Sequence, residues 1–187
     1  MLELLKNTDR DIFLYLNGLH TSFCDLVMPY LSASWAWIPL FAWWLYELYK
    51  RYGKKIALII LFAVALIVAS DQGSNLVKRS VKRYRPTHNT EISEKVHTVD
   101  GYKGGQFGFI SSHAANSFAI AMFIFLLMRP AKKTLAISLF GYAILTSYSR
   151  IYLGVHYPLD ILGGALLGTI LAVIFSKIYF KYNERPV

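Results

Sequence analysis

Long uncharged apolar stretches constrain the fold of this chain more than any other feature of its sequence. Residues 56–69 are apolar at every position, and residues 161–176 carry no charge. Hydrophobic residues make up 55% of the 187 positions, which is more than a soluble domain of this size usually contains. Inside a bilayer each segment must satisfy its own backbone hydrogen bonds, so such stretches form helices. The sequence therefore predicts an all-α integral membrane protein.

We expect a polytopic bundle of about five transmembrane helices within a single domain that covers residues 1–187. The predicted spans lie at residues 35–46, 56–78, 109–128, 135–148 and 161–176. Several are shorter than the ~20 apolar residues that usually cross a bilayer, so polar ends must extend the helices. The first span has tryptophans at both ends, as an aromatic belt at the membrane surface would.

Residues 1–33 are too polar and too broken to predict a membrane span with the same clarity. Asn17, His20 and Asp25 interrupt the apolar residues there. We expect one or two helices that lie in the membrane interface, and a sixth membrane span is the alternative. Residues 34–181 would then form the helix bundle that carries any chemistry.

A charged segment stands between the last two predicted spans, where charge is costly. Residues 149–160 read Ser-Arg-Ile-Tyr-Leu-Gly-Val-His-Tyr-Pro-Leu-Asp. Pro158 suits the first turn of a helix, which places Asp160 one turn beyond His156 on the same face. A carboxylate there would fix the imidazole tautomer and leave the other nitrogen as a nucleophile or base. Arg150 matches a phosphate or carboxylate; the alternative is a membrane-edge turn whose charges sit among headgroups.

The second span and its continuation carry further polar and basic residues. Lys78, Lys82 and Arg85 follow the spacing i, i+4, i+7, so we expect them on one face of a continuing helix, where they could hold a phosphate. A basic run of this kind can also anchor a helix in lipid headgroups. Within the span, Asp71 and Asn75 indicate either a functional pair or hydrogen bonding between helices.

The third span opens with a serine pair and a histidine. Ser111 or Ser112 is a suitable N-cap, which places His113 in the first helical turn. Free backbone N–H groups at a helix start favour an anion. The position therefore suits a phosphate with a proton donor beside it, although taken alone it fits an ordinary serine cap followed by an incidental histidine better.

Alternation of the spans brings these pieces together. Residues 78–85, His113 and residues 150–160 all fall at helix ends that emerge on the same side of the bundle. The long polar loop at residues 87–110 borders that side, and we expect neither His88 nor His97 within it to be catalytic. Three modest signals thus converge on one candidate site.

Two short basic loops lie opposite that site and set the expected orientation. Lys50, Arg51, Lys54 and Lys55 form one of them, and residues 129–133 form the other. Because short cytoplasmic loops are enriched in lysine and arginine, we expect these loops inside the cell. The site would then face the periplasm or exterior of a bacterial inner (cytoplasmic) membrane.

The formal net charge of +9 is compatible with nucleic acid, anionic lipid or a phosphorylated substrate as partner. A chain embedded in a membrane leaves no basic soluble domain for nucleic acid, so we expect none to bind. Membrane lipids and a lipid phosphate are the expected partners. The sequence does not predict an oligomeric state.

Together, these motifs resemble the three-part signature of the type 2 phosphatidic acid phosphatase (PAP2) superfamily of metal-independent membrane phosphatases. That signature reads Lys-x6-Arg-Pro, Pro-Ser-Gly-His and Ser-Arg-x5-His-x3-Asp. The chain has Lys78…Arg85-Pro86, Ile110-Ser111-Ser112-His113 and Ser149-Arg150…His156…Asp160. The second part departs from the pattern, with Ile110 in place of proline and Ser112 in place of glycine.

The resemblance implies a mechanism. His156 would attack phosphorus and form a phosphohistidine, while Asp160 orients it. His113 would protonate the leaving oxygen and later activate the hydrolytic water. The residues implied to hold the phosphate are Lys78, Arg85, Ser111, Ser112 and Arg150. The resemblance implies no metal and no cofactor, and no free carboxylate cluster suited to magnesium is visible.

The expected function is hydrolysis of a lipid phosphate or diphosphate. The small chain and its short loops resemble bacterial members of the family, and this resemblance favours undecaprenyl diphosphate as the substrate. Phosphatidylglycerol phosphate, phosphatidic acid and lipid A phosphates are the alternatives. A non-catalytic protein that binds or transports lipid phosphates is a further alternative. The presence of both His113 and His156 argues against it, since a binding protein needs the cations but not the histidine pair.

Overall fold

Helices make up most of the chain. The computed structural model describes residues 2–183, and the only β-pairing recorded there is an isolated bridge between Tyr84 and Phe107. The seven α-helices of this part are α1 (Leu2–Gly18), α2 (Ser22–Ser32), α3 (Ile38–Tyr52), α4 (Ile56–Val81), α5 (Ser112–Leu127), α6 (Lys133–Tyr152) and α7 (Pro158–Tyr182). The prediction of an all-α membrane helix bundle is confirmed.

Helices α3 to α7 correspond to the five predicted spans. By length and composition, two helical stretches are suited to crossing a membrane: Ser34–Val81, which contains α3 and α4, and Pro158–Tyr182. Helix α5 is apolar but shorter. The expected tryptophan belt at both ends of the first span is wrong at its second end, because α3 continues to Tyr52. Trp44 consequently lies in the core, where its indole N–H donates to Ser138 Oγ at 3.0 Å.

Helix α5 is the centre of the bundle and packs against α4, α6 and α7. Its contact with α7 is close because Gly164 and Gly168 carry no side chain. A Cβ at either position would overlap the carbonyl oxygen of Ser111 or Ala115 on the α5 side. The small-residue spacing on α7 therefore allows the backbones of the two helices to approach each other, as expected.

The helices alternate in direction. Arg51, at the end of α3, donates to the carbonyl oxygens of Met128 and Arg129, so the two short basic loops meet at one end of the bundle. At the opposite end, Lys78 of α4 contacts Ser112 at the start of α5. We call these the basic-loop end and the site end.

Helix α1 packs against the site end. Arg10 forms an ion pair of 2.9 Å with Glu91 in the long loop, and Asn17 Nδ2 donates to the carbonyl oxygens of Ile151 and Tyr152. These contacts come from the middle and the C-terminal end of α1, and each is with residues of the site end. This placement favours the interfacial interpretation of α1 over a sixth membrane span.

Helix α4 ends earlier than its charge spacing suggested. It stops at Val81, and Lys82 adopts left-handed backbone geometry (φ 50°) with its N–H donating to the Lys78 carbonyl. The prediction that Lys78, Lys82 and Arg85 share one helical face is therefore wrong. Lys82 is exposed, while Arg85 continues in extended backbone and donates its N–H to Gln106.

Candidate active site

The charged segment between α6 and α7 buries its histidine and its aspartate together. Helix α7 begins at Pro158, as predicted, and His156 Nδ1 lies 3.5 Å from Asp160 Oδ2. The side chains are 2% and 0% exposed. The separation is somewhat longer than a strong hydrogen bond, as is common for catalytic pairs without substrate.

Burial lowers the pKa of His156 well below its usual 6.5, and the positive charges of Arg85 and Arg150 act in the same direction. The imidazole is therefore neutral near pH 7. A neutral imidazole has a free lone pair, which is what a nucleophile requires. With Nδ1 beside the carboxylate, Nε2 is the nitrogen left to react.

Two groups besides His156 bind the carboxylate of Asp160. Oδ2 accepts the backbone N–H of Tyr157 at 2.9 Å, which completes a capping box at the start of α7. Oδ1 accepts from Arg83 Nη1 at 2.9 Å. The Asp160 carbonyl accepts the backbone N–H of Ser111 at 2.9 Å, so the starts of α5 and α7 are joined directly.

Ser111 is the N-cap of α5, and His113 lies in the first turn, as predicted. Ser111 Oγ accepts the N–H of Ala114 at 3.4 Å. Because the Ser111 hydroxyl and its N–H both have partners in the protein, its predicted contact with phosphate would require a second bond to the same hydroxyl. That contact stays a prediction.

Lys78 and Ser112 meet in a hydrogen-bond network between α4 and α5. Lys78 Nζ donates to Ser112 Oγ, and Ser112 Oγ lies 2.6 Å from Ser74 Oγ. Asn75 Nδ2 donates to Asp71 Oδ2 at 2.9 Å, and Lys78 Nζ is 3.5 Å from Asn75 Oδ1. Asp71 and Asn75 thus hydrogen-bond to each other within α4, and Asn75 also contacts Lys78. The serine that replaces the signature glycine contacts the same lysine.

Arg85 and Arg150 complete a group of three cations around the histidines. Both arginines and Lys78 lie close enough to His113 and His156 to act on them electrostatically. Arg85 Nε donates to the Phe107 carbonyl at 3.2 Å. The structure therefore brings together the three pieces that the sequence placed on one side of the bundle.

Arg150 points to the mouth of the site. Its Nη1 donates to Ser32 Oγ on α2, and its Nη2 donates to Tyr102 Oη at 3.1 Å. A cavity of about 370 Å³ opens there, and its lining includes His113 and Arg150 as well as Ser32 and Tyr102. The cavity reaches His113, whereas the buried His156 is not among the residues that line it.

Two glycines of the long loop lie against the site. A Cβ on Gly108 would lie 3.1 Å from Asp160 Oδ2 and 3.5 Å from His156 Nδ1. Gly104 has a φ of +65°, and a Cβ there would be 2.6 Å from Arg85 Nη1. The loop at residues 87–110 therefore borders the site, as expected.

The other histidines of the site end lie outside the candidate site. His97 Nε2 pairs with Asp25 Oδ1 at 2.6 Å, and its ring stacks on His20 with centroids 3.9 Å apart. His88 Nδ1 lies 3.2 Å from Thr87 Oγ1. Within residues 2–183 no cluster of three or more histidine, cysteine or carboxylate side chains has the arrangement of a metal site.

Sequence reasoning missed several residues that contact the site. Arg83 binds Asp160, and Asp9 of α1 binds Arg83. Ser32 and Tyr102 bind Arg150. Arg83 lies in the basic run, but helical spacing points to Lys82 instead. The others come from distant segments, and no periodicity or motif connects them to the site.

Comparison with known proteins identifies the family. The family model described as the PAP2 superfamily matches residues 57–184, about two thirds of the chain. The chain belongs to the PAP2 superfamily. The matched region contains all three parts of the signature, so the predicted resemblance is confirmed.

Curated relatives of this PAP2 protein include lipid A 4'-phosphatases and an undecaprenyl-diphosphatase. A lipid A 4'-phosphatase of Bacteroides thetaiotaomicron is 39% identical, over 99% of this chain and 83% of the relative. A lipid A 4'-phosphatase of Porphyromonas gingivalis is 33% identical, over 98% and 78%. An undecaprenyl-diphosphatase of Sulfolobus acidocaldarius is 29% identical, over 94% and 77%.

Solved structures agree with the family. The crystal structure of Aquifex aeolicus LpxE matches with a TM-score of 0.68 and 27% identity, covering 89% of this chain and 93% of that one. A transmembrane PAP2-type phosphatidylglycerolphosphate phosphatase from Bacillus subtilis matches in fold, with a TM-score of 0.71 and 20% identity, over 97% and 89%. This PAP2 protein is thus a lipid phosphatase and an integral membrane protein.

Proposed function

We propose that this chain is a lipid A 4'-phosphatase that works through a phosphohistidine at His156. The observation that carries the proposed chemistry is the buried His156–Asp160 pair, with three cations and His113 around it. Two relatives at 39% and 33% identity, over nearly the whole chain, support the 4'-phosphate of lipid A as substrate. Undecaprenyl diphosphate, which the sequence favoured, has the weaker support of a relative at 29% identity.

The first step of the proposed reaction transfers the phosphoryl group to the enzyme. Lys78, Arg85 and Arg150 bind the phosphate oxygens and offset the charge that spreads over them in the transition state. His156 Nε2 attacks phosphorus, and the bond from phosphorus to the lipid oxygen breaks. The negative charge of the bound phosphate offsets the three cations and favours a proton on His113. His113 gives that proton to the leaving oxygen, so the lipid leaves as an alcohol.

Asp160 has a specific part in this step. Phosphorylation of Nε2 leaves the ring cationic with a proton on Nδ1. The carboxylate 3.5 Å away stabilises that cation and keeps the proton on Nδ1 before the attack. The role parallels that of the aspartate in a serine protease triad, which orients and stabilises an imidazolium without taking its proton.

The second step releases phosphate. His113, now neutral, takes a proton from water, and the resulting hydroxide attacks the phosphohistidine. The P–N bond breaks, inorganic phosphate leaves and His156 returns to its neutral form. One histidine thus acts as acid and then as base, while the other carries the phosphoryl group.

We place this site on the periplasmic face of the inner membrane. The support is the meeting of the two short basic loops at the end of the bundle opposite Lys78 and Ser112. Short loops rich in lysine and arginine are retained in the cytoplasm. The lipid A phosphate would then be reached from the outer leaflet of that membrane.

A phosphate-release assay over a lipid panel tests the substrate. The purified protein in detergent is offered bisphosphorylated lipid A, undecaprenyl diphosphate, phosphatidylglycerol phosphate and phosphatidic acid. We expect the highest kcat/KM on lipid A, with mass spectrometry showing loss of the 4'-phosphate. His156→Ala should be inactive, and His88→Ala, a histidine outside the site, should match wild type.

Other outcomes separate the alternatives. Preference for undecaprenyl diphosphate would replace the substrate while leaving the chemistry in place. Binding of lipid phosphates by a folded wild type that releases no phosphate from any of them would instead support the non-catalytic binding protein.

A further inference from the structure

We propose that Asp9 and Arg83 are positioning residues for the proposed reaction: Arg83 holds the carboxylate of Asp160, and Asp9 holds Arg83. The inference rests on the proposed role of Asp160 beside His156. Neither residue belongs to the three-part signature, and Asp9 lies outside the matched region of residues 57–184.

Arg83 binds the one carboxylate oxygen of Asp160 that the helix cap leaves available. Arg83 Nη1 lies 2.9 Å from Asp160 Oδ1, while Oδ2 takes the Tyr157 N–H and faces His156 Nδ1. With a fixed donor on each oxygen, the carboxylate cannot rotate. Arg83 and the Tyr157 N–H thereby fix the orientation of the carboxylate toward the His156 imidazole.

Asp9 fixes Arg83 and the start of α7 together. Its Oδ2 lies 2.6 Å from Arg83 Nη2, and its Oδ1 accepts the backbone N–H of Leu159 at 2.9 Å. Leu159 immediately precedes Asp160. The Asp9 side chain is 2% exposed, and a buried carboxylate is stable only when it is paired in this way.

Packing holds the guanidinium in place as well. Arg83 lies over the ring of Tyr157, 3.9 Å from its centroid. Phe13 of α1 packs against the same Tyr157 ring, with 5.3 Å between the two ring centroids. Helix α1 therefore supplies both a charge and an aromatic side chain to the support behind Asp160.

Arg83 differs in function from the cations of the phosphate cradle. Both of its terminal nitrogens bind carboxylates, whereas Lys78 and Arg150 bind neutral hydroxyls that a phosphate oxygen can replace. Removing Arg83 should therefore leave substrate binding in place and slow the chemical step. A merely structural role would not separate kcat from KM in this way.

The test compares buried and exposed residues of like chemistry. The variants are Asp9→Asn, Arg83→Met and Arg83→Lys; the controls are Asp11→Asn on the same helix, where Asp11 is 72% exposed, and Arg79→Met, also exposed. We measure kcat, KM, the pre-steady-state rate of phosphoenzyme formation and the thermal unfolding of each protein in detergent.

We expect folded Asp9→Asn and Arg83→Met to lose at least about 10-fold in kcat and in phosphoenzyme formation, with KM within about 2-fold of wild type. Arg83→Lys keeps the charge but not the planar fork, so it should recover part of that loss. Both controls should stay within about 2-fold of wild type in kcat.

A kcat within about 2-fold of wild type in the folded variants would overturn the inference while leaving the proposed function intact. A rise in KM at unchanged kcat would also overturn it, since Arg83 would then belong to the phosphate cradle. If Arg83→Met does not fold, unchanged kcat in Arg83→Lys has the same force. A wild type inactive on every lipid would instead overturn the proposed function, and this inference with it.

Discussion

His156 combines three properties that a surface histidine lacks. It is buried, it lies beside a carboxylate held by Arg83 and the Tyr157 N–H, and cations surround it. Burial keeps the imidazole ring neutral, and the neighbouring carboxylate directs its tautomer. The cations, which we propose bind the phosphate, also disfavour a proton on the ring when no phosphate is bound.

The environment of His156 predicts how stability depends on pH. Burial, followed by the charges of Arg85 and Arg150, lowers the pKa of His156 well below 6.5. The unfolded chain binds a proton there near pH 6.5 and the folded chain does not. The free energy of unfolding therefore falls as the pH drops below about 6.5, by at most about 1.4 kcal/mol per pH unit for one proton.

The variant His156→Gln has no imidazole at this position, so its unfolded chain binds one proton fewer near pH 6. Denaturant unfolding in detergent between about pH 5 and 8 should show a smaller loss of stability on acidification for the variant than for wild type. Equal pH slopes for the two proteins would mean that His156 is not held neutral by the fold.

The side chains around the two histidines also predict activity without a metal ion. The three cations around the histidines are side chains, and within residues 2–183 no cluster of carboxylates or imidazoles suits a divalent ion. We expect phosphate release to persist in excess EDTA and vanadate to inhibit it by occupying the phosphate cradle. Loss of activity in EDTA with rescue by magnesium would contradict this expectation.

At the scale of elements, the close contact between α5 and α7 positions the site. Helix α5 begins with Ser112 and His113, and the Ser111 N–H just before it donates to the carbonyl of Asp160 in α7. Gly164 and Gly168 let the two backbones approach. The spacing of these two helices thus sets the separation between the proposed acid and the proposed nucleophile.

Gly168→Ala tests that contact. The new Cβ would overlap the Ala115 carbonyl, so α5 and α7 must separate, and we expect a loss of roughly 1–3 kcal/mol in stability together with reduced activity. Gly141→Ala on α6 is the control: nothing lies within 4 Å of its Cβ, and alanine there should be neutral or stabilising by up to about 1 kcal/mol. Equal thermal unfolding of the two variants would contradict the expected contact.

Local signals in the sequence predicted the elements well where a cap or a helix start is encoded. The N-cap at Ser111 and the start of α7 at Pro158 are of this kind. The end of α4 is not encoded by such a signal, because Lys82 takes a left-handed conformation that glycine usually adopts. The i, i+4, i+7 spacing of the charges extends past the end of the helix. It therefore points to Lys82, whereas Arg83 is the residue that binds Asp160.

Long-range contacts account for the rest of what the sequence left open. Asp9 is 150 positions before Leu159, and Ser32 is 118 before Arg150. Helix periodicity carries no information over such distances. The convergence of Lys78, His113 and His156 was predictable only because the spans alternate in direction.

At the scale of the whole molecule, the orientation of the bundle decides which lipids reach the site. At the basic-loop end, Arg51 donates to the carbonyl oxygens of Met128 and Arg129. The long loop and α1 lie at the site end. We expect the site end outside the cytoplasm.

Cysteine labelling tests this orientation. In a Cys24→Ala background, which removes the sole cysteine, Glu94→Cys and Lys6→Cys should react with a membrane-impermeant thiol reagent in intact cells. Lys132→Cys should stay protected until the membrane is opened. Gly104 is a poor labelling site because a side chain there would overlap Arg85. Labelling of Lys132→Cys alone would make this a cytoplasm-facing phosphatase.

The most direct test of the proposed reaction is to trap the phosphoenzyme. Wild type is mixed with lipid A bearing a labelled 4'-phosphate, quenched in base on the millisecond scale, digested and analysed by mass spectrometry. We predict acid-labile phosphate on the peptide that contains His156, formed no more slowly than turnover and absent from His156→Ala. Phosphate on His113, or full turnover without any phosphohistidine, would contradict the account.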